Sequence, residues 1–278
     1  MASIVALTRE FAQLNVARSI GTFPIRTCGT IASLDREISR DPPVAILYEP
    51  GLGLASQHDV LRGIELLGIR LIVRSSLLPS AITELMTLCR AHPWTAVSIR
   101  PHDSLELVST TLNEPDGGPV ASVLSYIEPE LVSEAATPFL IAPLVLGRRR
   151  IRGPEHAGAF SIQQRTLESQ HRKLALPEPR RMRTWGAAFW ALWRLDRWGW
   201  LPKRAAANGG FATASALWET LAPVMRGAPD RHSRTDRVTW AVSQFRQELL
   251  RQSPNGLGRS IALSSVLDTH APTLTKAP

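Results

Sequence analysis

The densest recognition chemistry in this chain lies in QQRTLESQHRKL, residues 163–174. At helical spacing Thr166, Leu167, Gln170 and Leu174 define an inward side, which leaves Gln163, Gln164, Arg165, Ser169 and Arg172 facing outward. An arginine fork matches the guanine edge, a glutamine amide matches adenine, and both also donate to phosphate oxygens. The same face is what any solvated surface helix presents. A second stretch, ANGGFATASALWETL (207–221), raises a different question. The chain turns on Gly209-Gly210, Phe211 is expected to be buried, and Thr213 is the expected N-cap of a new helix. Leu217 and Leu221 at i, i+4 form its inner face. Ala212, Thr213, Ala214 and Ser215 are small enough for the helix start to approach a large partner, and Trp218 follows one turn on. Residues 212–222 contain no Arg, Lys, Gln or Asn, so edge reading by this second helix is expected to be weak.

Other chemistry is sparse. His58-Asp59 and His102-Asp103 are acid–base pairs with no nucleophile motif beside them, which argues against an enzyme. EPGLGLASQHD (49–59) has Gly-x-Gly after a strand but lacks the third glycine of a dinucleotide fingerprint, so an ordinary strand-to-helix loop is expected. Cys28 and Cys89 have no metal-ligand spacing and read as small buried hydrophobes. Neither a metal nor a cofactor is expected.

The elements that must position these residues fall into two halves. IRTCGT (25–30), VAILYEP (44–50), IRLIVRSS (69–76) and TAVSIRP (95–101) are β-rich runs closed by turn chemistry. ASLDREIS (32–39), ASQHDVLRGIELLG (55–68) and PSAITELMTLCRAH (79–92) alternate with them at helical period, as in Val60, Ile64, Leu67 and Ile82, Leu85, Met86, Cys89. SIVALT (3–8) and REFAQLNVARSIG supply a first strand and helix. This rhythm predicts a five-stranded parallel α/β domain over residues 1–115, covered on both faces. Residues 116–153 read as a helical linker broken at Pro129 and Pro138. Residues 154–227 read as all-α: PEHAGAF (154–160), a turn at Ser161-Ile162, the helix at 163–174, a long helix from Pro179, then 202–208 and the helix after Thr213. Met182, Trp185, Phe189 and Leu192 share one apolar face of the long helix, so its tryptophans are core. Pro223 is expected to cut the last helix short. Residues 228–278 read as a C-terminal extension with one helix (237–252) and a disordered, polar tail.

Residues 1–147 carry 10 Lys/Arg against 15 Asp/Glu, whereas residues 148–278 carry 22 against 9. A basic second half is the electrostatic footprint of a nucleic-acid-facing surface, although a merely soluble basic surface has the same sign. PFLIAPLVLG (138–147) is too short to span a bilayer and MASIVALTREF makes a poor signal peptide, so a cytoplasmic protein with no membrane partner is expected.

The order of units in the second half resembles the AraC-type DNA-binding domain. SIQQRTLESQHRKLALPEPRRMRTW is similar to that family's first recognition helix leading into a linker helix, and NGGFATASALWETL to its second-unit signature. The resemblance implies a double helix-turn-helix, double-stranded DNA as partner, and two sets of contact residues. Gln163, Gln164, Arg165, Ser169 and Arg172 would enter one major groove, and Ala212, Thr213, Ala214, Ser215 and Trp218 the next, about one helical turn along. The first half looks like a flavodoxin-like receiver domain with a defective phosphotransfer site. Glu49 stands near the acceptor position, Ser75 or Ser76 near the hydroxyl position, Arg100-Pro101 where Lys-Pro is expected, and Glu10 is the only acidic candidate after the first strand. The resemblance therefore implies a pseudo-receiver that senses or dimerises without phosphorylation. The competing expectation is a protein-interaction module that keeps the fold but does not read DNA.

Overall fold

Three runs, IVAL, AILY and AVSI, become strands β1 (Ile4–Leu7), β4 (Ala45–Tyr48) and β6 (Ala96–Ile99), buried along their entire length. With β3 (Phe23–Cys28) and β5 (Arg70–Ser75) they form a parallel sheet in the order β3-β1-β4-β5-β6. Strands apolar on both faces require helices on both sides. Among the parallel strands the order is second, first, third, fourth, fifth, as in flavodoxin-like doubly wound sheets. The computed structural model describes residues 3–8, 19–20, 22–100, 105–128, 131–229 and 236–252.

The sheet has a sixth, short strand that the sequence pattern does not show. β2 (Ser19–Ile20) pairs antiparallel with the start of β3, where the end of a first helix was expected. The rest of that expected helix, residues 9–18, lies outside the described residues. Side chains alternate across the sheet with period two. Val5, Leu7, Ile46, Tyr48, Leu71 and Val73 join the large core, while Ile4, Ala6, Ala45, Leu47, Ile72 and Ala96 form a smaller cluster with Ile20.

Helices α1 (Ile31–Arg40), α2 (His58–Leu66) and α3 (Pro79–Ala91) follow β3, β4 and β5. Thr30 caps α1 through a reciprocal box with Ser33, and Pro79 opens α3, where its missing N–H costs nothing. Ile82, Leu85, Met86 and Cys89 are buried as their spacing predicts. Leu67 is not: α2 ends at Leu66, so Leu67 leaves the apolar stripe and Leu61 takes the inner place. Helix α4 (Leu105–Leu112), which β-branched residues hid from the pattern, packs at the β2 edge.

The helices between residues 116 and 148 form a largely buried layer. Helices α5 (Pro119–Ser125) and α6 (Thr137–Leu146) are apolar almost all round and pack against α3, β6 and the helical half. Pro138 starts α6 and does not break it, because the first turn needs no N–H donor there. Pro129 lies outside the described residues. The helical half follows as α7 (Gly153–Gly158), α8 (Gln164–Lys173), α9 (Pro179–Leu192), a π-turn at Trp193–Arg197, α10 (Pro202–Asn208), α11 (Ala214–Met225) and α12 (Arg237–Gln252). Met182, Trp185, Phe189 and Leu192 are all buried on one face of α9, and Phe245 of α12 packs against the Trp185–Phe189 pair. The expected polar tail after residue 252 lies outside the described residues.

One continuous core joins both halves. Where α6 ends and α9 passes, Gly147 and Gly186 let the two backbones touch: a β-carbon on Gly186 would stand 2.0 Å from the Pro143 carbonyl oxygen. Trp190 lies against Gly118 and donates its indole N–H to the Leu144 carbonyl at 2.9 Å. Beside it Arg148 and Glu114, both buried, form an ion pair at 2.7 Å, and Arg194 donates to the Arg148 carbonyl at 2.8 Å. Burial pushes the Glu114 carboxyl up against the opposing pull of Arg148 and Arg194, and burial lowers Arg194 to about 10.

Candidate nucleic-acid interface

Helix α8 turns Leu167 and His171 inward, at i and i+4. Gln163, Gln164, Arg165 and Arg172 are exposed and Ser169 is half-buried, so the outward set is as its spacing predicts. Thr166 is a correction: it is exposed, and His171 takes the inner position assigned to it. The 100° step per residue sets Thr166 a quarter-turn off the Leu167–His171 line. Gln164 is partly engaged within the protein, donating to Glu168 at 3.1 Å and lying against Gly153.

The inner side of this helix pair is a buried aromatic and imidazole cluster. Phe139 stacks on Phe160 at 4.4 Å, and the His156 and His171 rings meet edge-on at 5.9 Å. His171 Nδ1 lies 2.6 Å from the Pro177 carbonyl, which can only accept, so that nitrogen carries the proton. Burial, then His171, then Arg183 depress His156 to about 3, and burial also lowers His171. Both imidazoles are therefore neutral packing groups.

The second helix pair answers the question posed by its two glycines. Gly210 has φ 74°, the left-handed conformation a side chain resists, and the Gly209 carbonyl accepts from the Arg150 N–H at 2.7 Å. Phe211 plugs the turn and is buried, and Thr213 caps α11 by accepting from the Ala216 N–H at 3.1 Å. Leu217, Leu221 and Val224 face the core. Ala212, Thr213 and Ser215 are exposed and Ala214 is half-buried. Trp218 is half-buried against the core with the Arg237 guanidinium 5.9 Å from its ring, a packing position more than a free contact residue. Pro223 does not end α11, which continues to Met225; its carbonyl accepts from Arg181 at 2.7 Å. One missing N–H near the last turn of a helix sacrifices a single backbone bond, and the tertiary contacts hold the turn closed.

Two sets of arginines in this half contrast. Arg148, Arg181, Arg197, Arg237 and Arg246 each pair with a carboxylate. Arg149, Arg150, Arg180 and Arg183 have no side-chain hydrogen bond or ion pair among the described residues. They line two clefts that share Arg180 and Arg183: one of about 360 Å³ towards α11, and one of about 540 Å³ towards α8, with Arg172 and His171 in its wall. Burial, then Arg180, lowers the Arg183 guanidinium, and one of its nitrogens is buried without a partner. Sequence reasoning missed these four. The runs RRRIR and RRMR displayed the charge, but neither run reveals which arginine has a carboxylate waiting for it.

At the carboxyl ends of the strands, Glu49 forms an ion pair with Arg100 and accepts from the Thr8 hydroxyl. Ser75 donates to the Ser76 carbonyl at 2.8 Å. Glu10 and His102-Asp103 lie outside the described residues, and His58-Asp59 is exposed at the start of α2. The Gly-x-Gly loop is not an open phosphate cradle. Its Gly51 and Ala55 N–H groups already point at the Glu84 carboxylate, which also accepts a hydrogen bond from the Tyr48 hydroxyl. Both cysteines are buried, and burial raises each thiol, Cys28 to about 11. Among the described residues no three His, Cys, Asp or Glu side chains are grouped to hold a metal, and no helix is long and apolar enough to cross a membrane. Searches of protein-family models, curated proteins and solved structures returned no match to this chain.

Proposed function

We propose that the chain is a transcription regulator of AraC type. Its helical half would bind duplex DNA in the major groove through two helix-turn-helix units, α7–α8 and α10–α11, joined by α9. The observation that carries this reading is the set of unpaired arginines gathered between α8 and α11, beside an outward helix face bearing Gln163, Arg165 and Arg172. Ion-paired arginines stabilise a fold, whereas arginines left without carboxylates in a cleft await an external anion. The α/β half acts as an input module without phosphotransfer, its Glu49 already neutralised by Arg100, and with Leu66 and Leu67 exposed it would support a homodimer. Such a protein works in the cytoplasm without a metal, a cofactor or a catalytic step.

One observation favours a second reading, an interaction module that has kept the fold without reading DNA: apart from the half-buried Trp218, α11 presents only Ala, Ser, Thr and Glu to the outside along its first two turns. Selection from a randomised duplex pool by the full chain at two salt concentrations separates them. An enriched motif with steep salt dependence supports the regulator. Absence of binding at either salt hands the case to the interaction module.

A further inference from the structure

We propose that this chain holds DNA asymmetrically: α8 reads bases, while Arg149, Arg150, Arg180 and Arg183 seat the phosphate backbone between the two units and stand in for α11. The inference rests on the DNA-binding reading above. The two clefts are adjacent, with Arg180 and Arg183, one turn apart on α9, lining both. On the α11 side Arg149 and Arg150 come from the segment before α7, outside either helix pair. They are tied to the second unit all the same: the Arg150 N–H is bonded to the Gly209 carbonyl, and its guanidinium lies 5.6 Å from the Phe211 ring. The second turn thus carries two cations that its own helix lacks.

The carboxylates lining these clefts are fewer than the cations and form no ion pair with them: Glu219 lines the cleft towards α11, and Glu168 and Glu178 line the one towards α8, where Glu168 acts on Arg183 only at a distance. Four guanidiniums with unused forks suit a run of phosphodiesters, whose oxygens accept without regard to base. On α11 the exposed groups offer no bidentate edge pairing, and the Thr213 hydroxyl is occupied by its cap. Sequence information therefore enters through α8 alone, and the second half of the footprint contributes affinity for any sequence.

The test uses the full chain with a duplex recovered by selection. Arg149→Gln/Arg180→Gln removes two exposed cations with no internal partner, so the fold stands. Its binding should weaken equally on the selected and a scrambled duplex, with the salt slope shallower by about 2, since each phosphate left without its arginine lowers the slope by about 1. Arg149→Lys/Arg180→Lys should keep the parental slope. Scrambling the half of the motif away from α8 should leave affinity unchanged. A parental slope in the glutamine variant overturns the phosphate seat while the regulator reading survives. A motif with two equally informative halves overturns the asymmetry. Failure of the parent chain to bind any duplex overturns the inference together with the reading beneath it.

Discussion

Two glycines in helix interiors should respond to the same substitution with opposite signs. Gly186 lies within α9 where α6 crosses it, and Gly63 lies within α2. Helix propensity favours alanine over glycine by about 1 kcal/mol at both. At Gly63 nothing stands within 4 Å of the new carbon, so Gly63→Ala should stabilise the protein by up to about 1 kcal/mol. At Gly186 the carbon would sit 2.0 Å from the Pro143 carbonyl oxygen and 2.9 Å from its carbon. An ordinary carbon–oxygen contact is about 3.3 Å, so α6 and α9 must part by more than about 1 Å. The obstacle is backbone on both sides, and no side chain can swing away. A gap of that size forfeits about a quarter to a half of the attraction across the α6–α9 interface. Overpacking costs about 1–3 kcal/mol and more where the backbone must shift; here the propensity gain is outweighed, and a net loss of about 2–4 kcal/mol is expected. Urea titration followed by tryptophan fluorescence measures it, since Trp185 and Trp190 flank the contact. Gly186→Ala should unfold at distinctly lower denaturant with an unchanged slope. A Gly186→Ala protein as stable as the parent would falsify the close approach and with it the joined core.

Three further outcomes rest on single contacts. His156 is held neutral, with a folded value of about 3 below its ordinary 6.5; the unfolded chain takes up its proton first, so the stability it contributes is complete above pH 6.5 and declines as pH falls towards 3. Between pH 7 and pH 5 that loss is about 2 kcal/mol, with His171 adding in the same direction, and His156→Leu should flatten the stability–pH curve measured by denaturant titration. Arg148→Met leaves the Glu114 carboxylate buried without its partner and should destabilise by about 3–5 kcal/mol at pH 7, most of which Arg148→Met/Glu114→Gln should restore. Arg165→Ala should relax discrimination at one base position by about 1–3 kcal/mol in competition binding, and equal discrimination by parent and variant would remove it from the reading face.

The elements that strong periodicity marks were legible in the sequence, and those set by distant partners were not. The strands from Ala45, Arg70 and Ala96, the cap at Thr213, the plug at Phe211 and the helix from Arg237 all follow from patterns spanning a few residues. β2 is two residues long and has no pattern of its own; its only reason is the edge of β3. Pro138 and Pro223 misled because proline was weighed by identity, whereas its cost depends on whether the missing N–H falls in a first turn, mid-helix or near a last turn. The layer at 119–146 read as a linker because its prolines suggested breaks, yet an apolar helix with no polar face has to be enclosed. At the interface, the outward set on α8 was legible from spacing alone. The arginine clefts were not, since whether Arg149 differs from Arg148 depends on where Glu114 lies, and only the fold brings it there.

On the proposed regulator reading, the joined core constrains how a signal would reach the arginine clefts. Two domains on a flexible tether communicate by changing local concentration, and a hinge between them costs little. Here a hinge between the halves would have to expose the Trp190 ring, strip the Arg148–Glu114 pair and open the Gly147–Gly186 contact together. Separating the buried pair alone costs several kcal/mol, and a ligand can supply only its difference in affinity between the two states. Rigid coupling of the α/β half to the arginine clefts is therefore the cheaper arrangement. On the regulator reading proposed above, an input at the strand ends, where Arg100 and Glu49 are paired, would have one inexpensive route to a change in DNA binding: altering how two copies of the chain are placed relative to each other, with the angle between the halves of one copy unchanged.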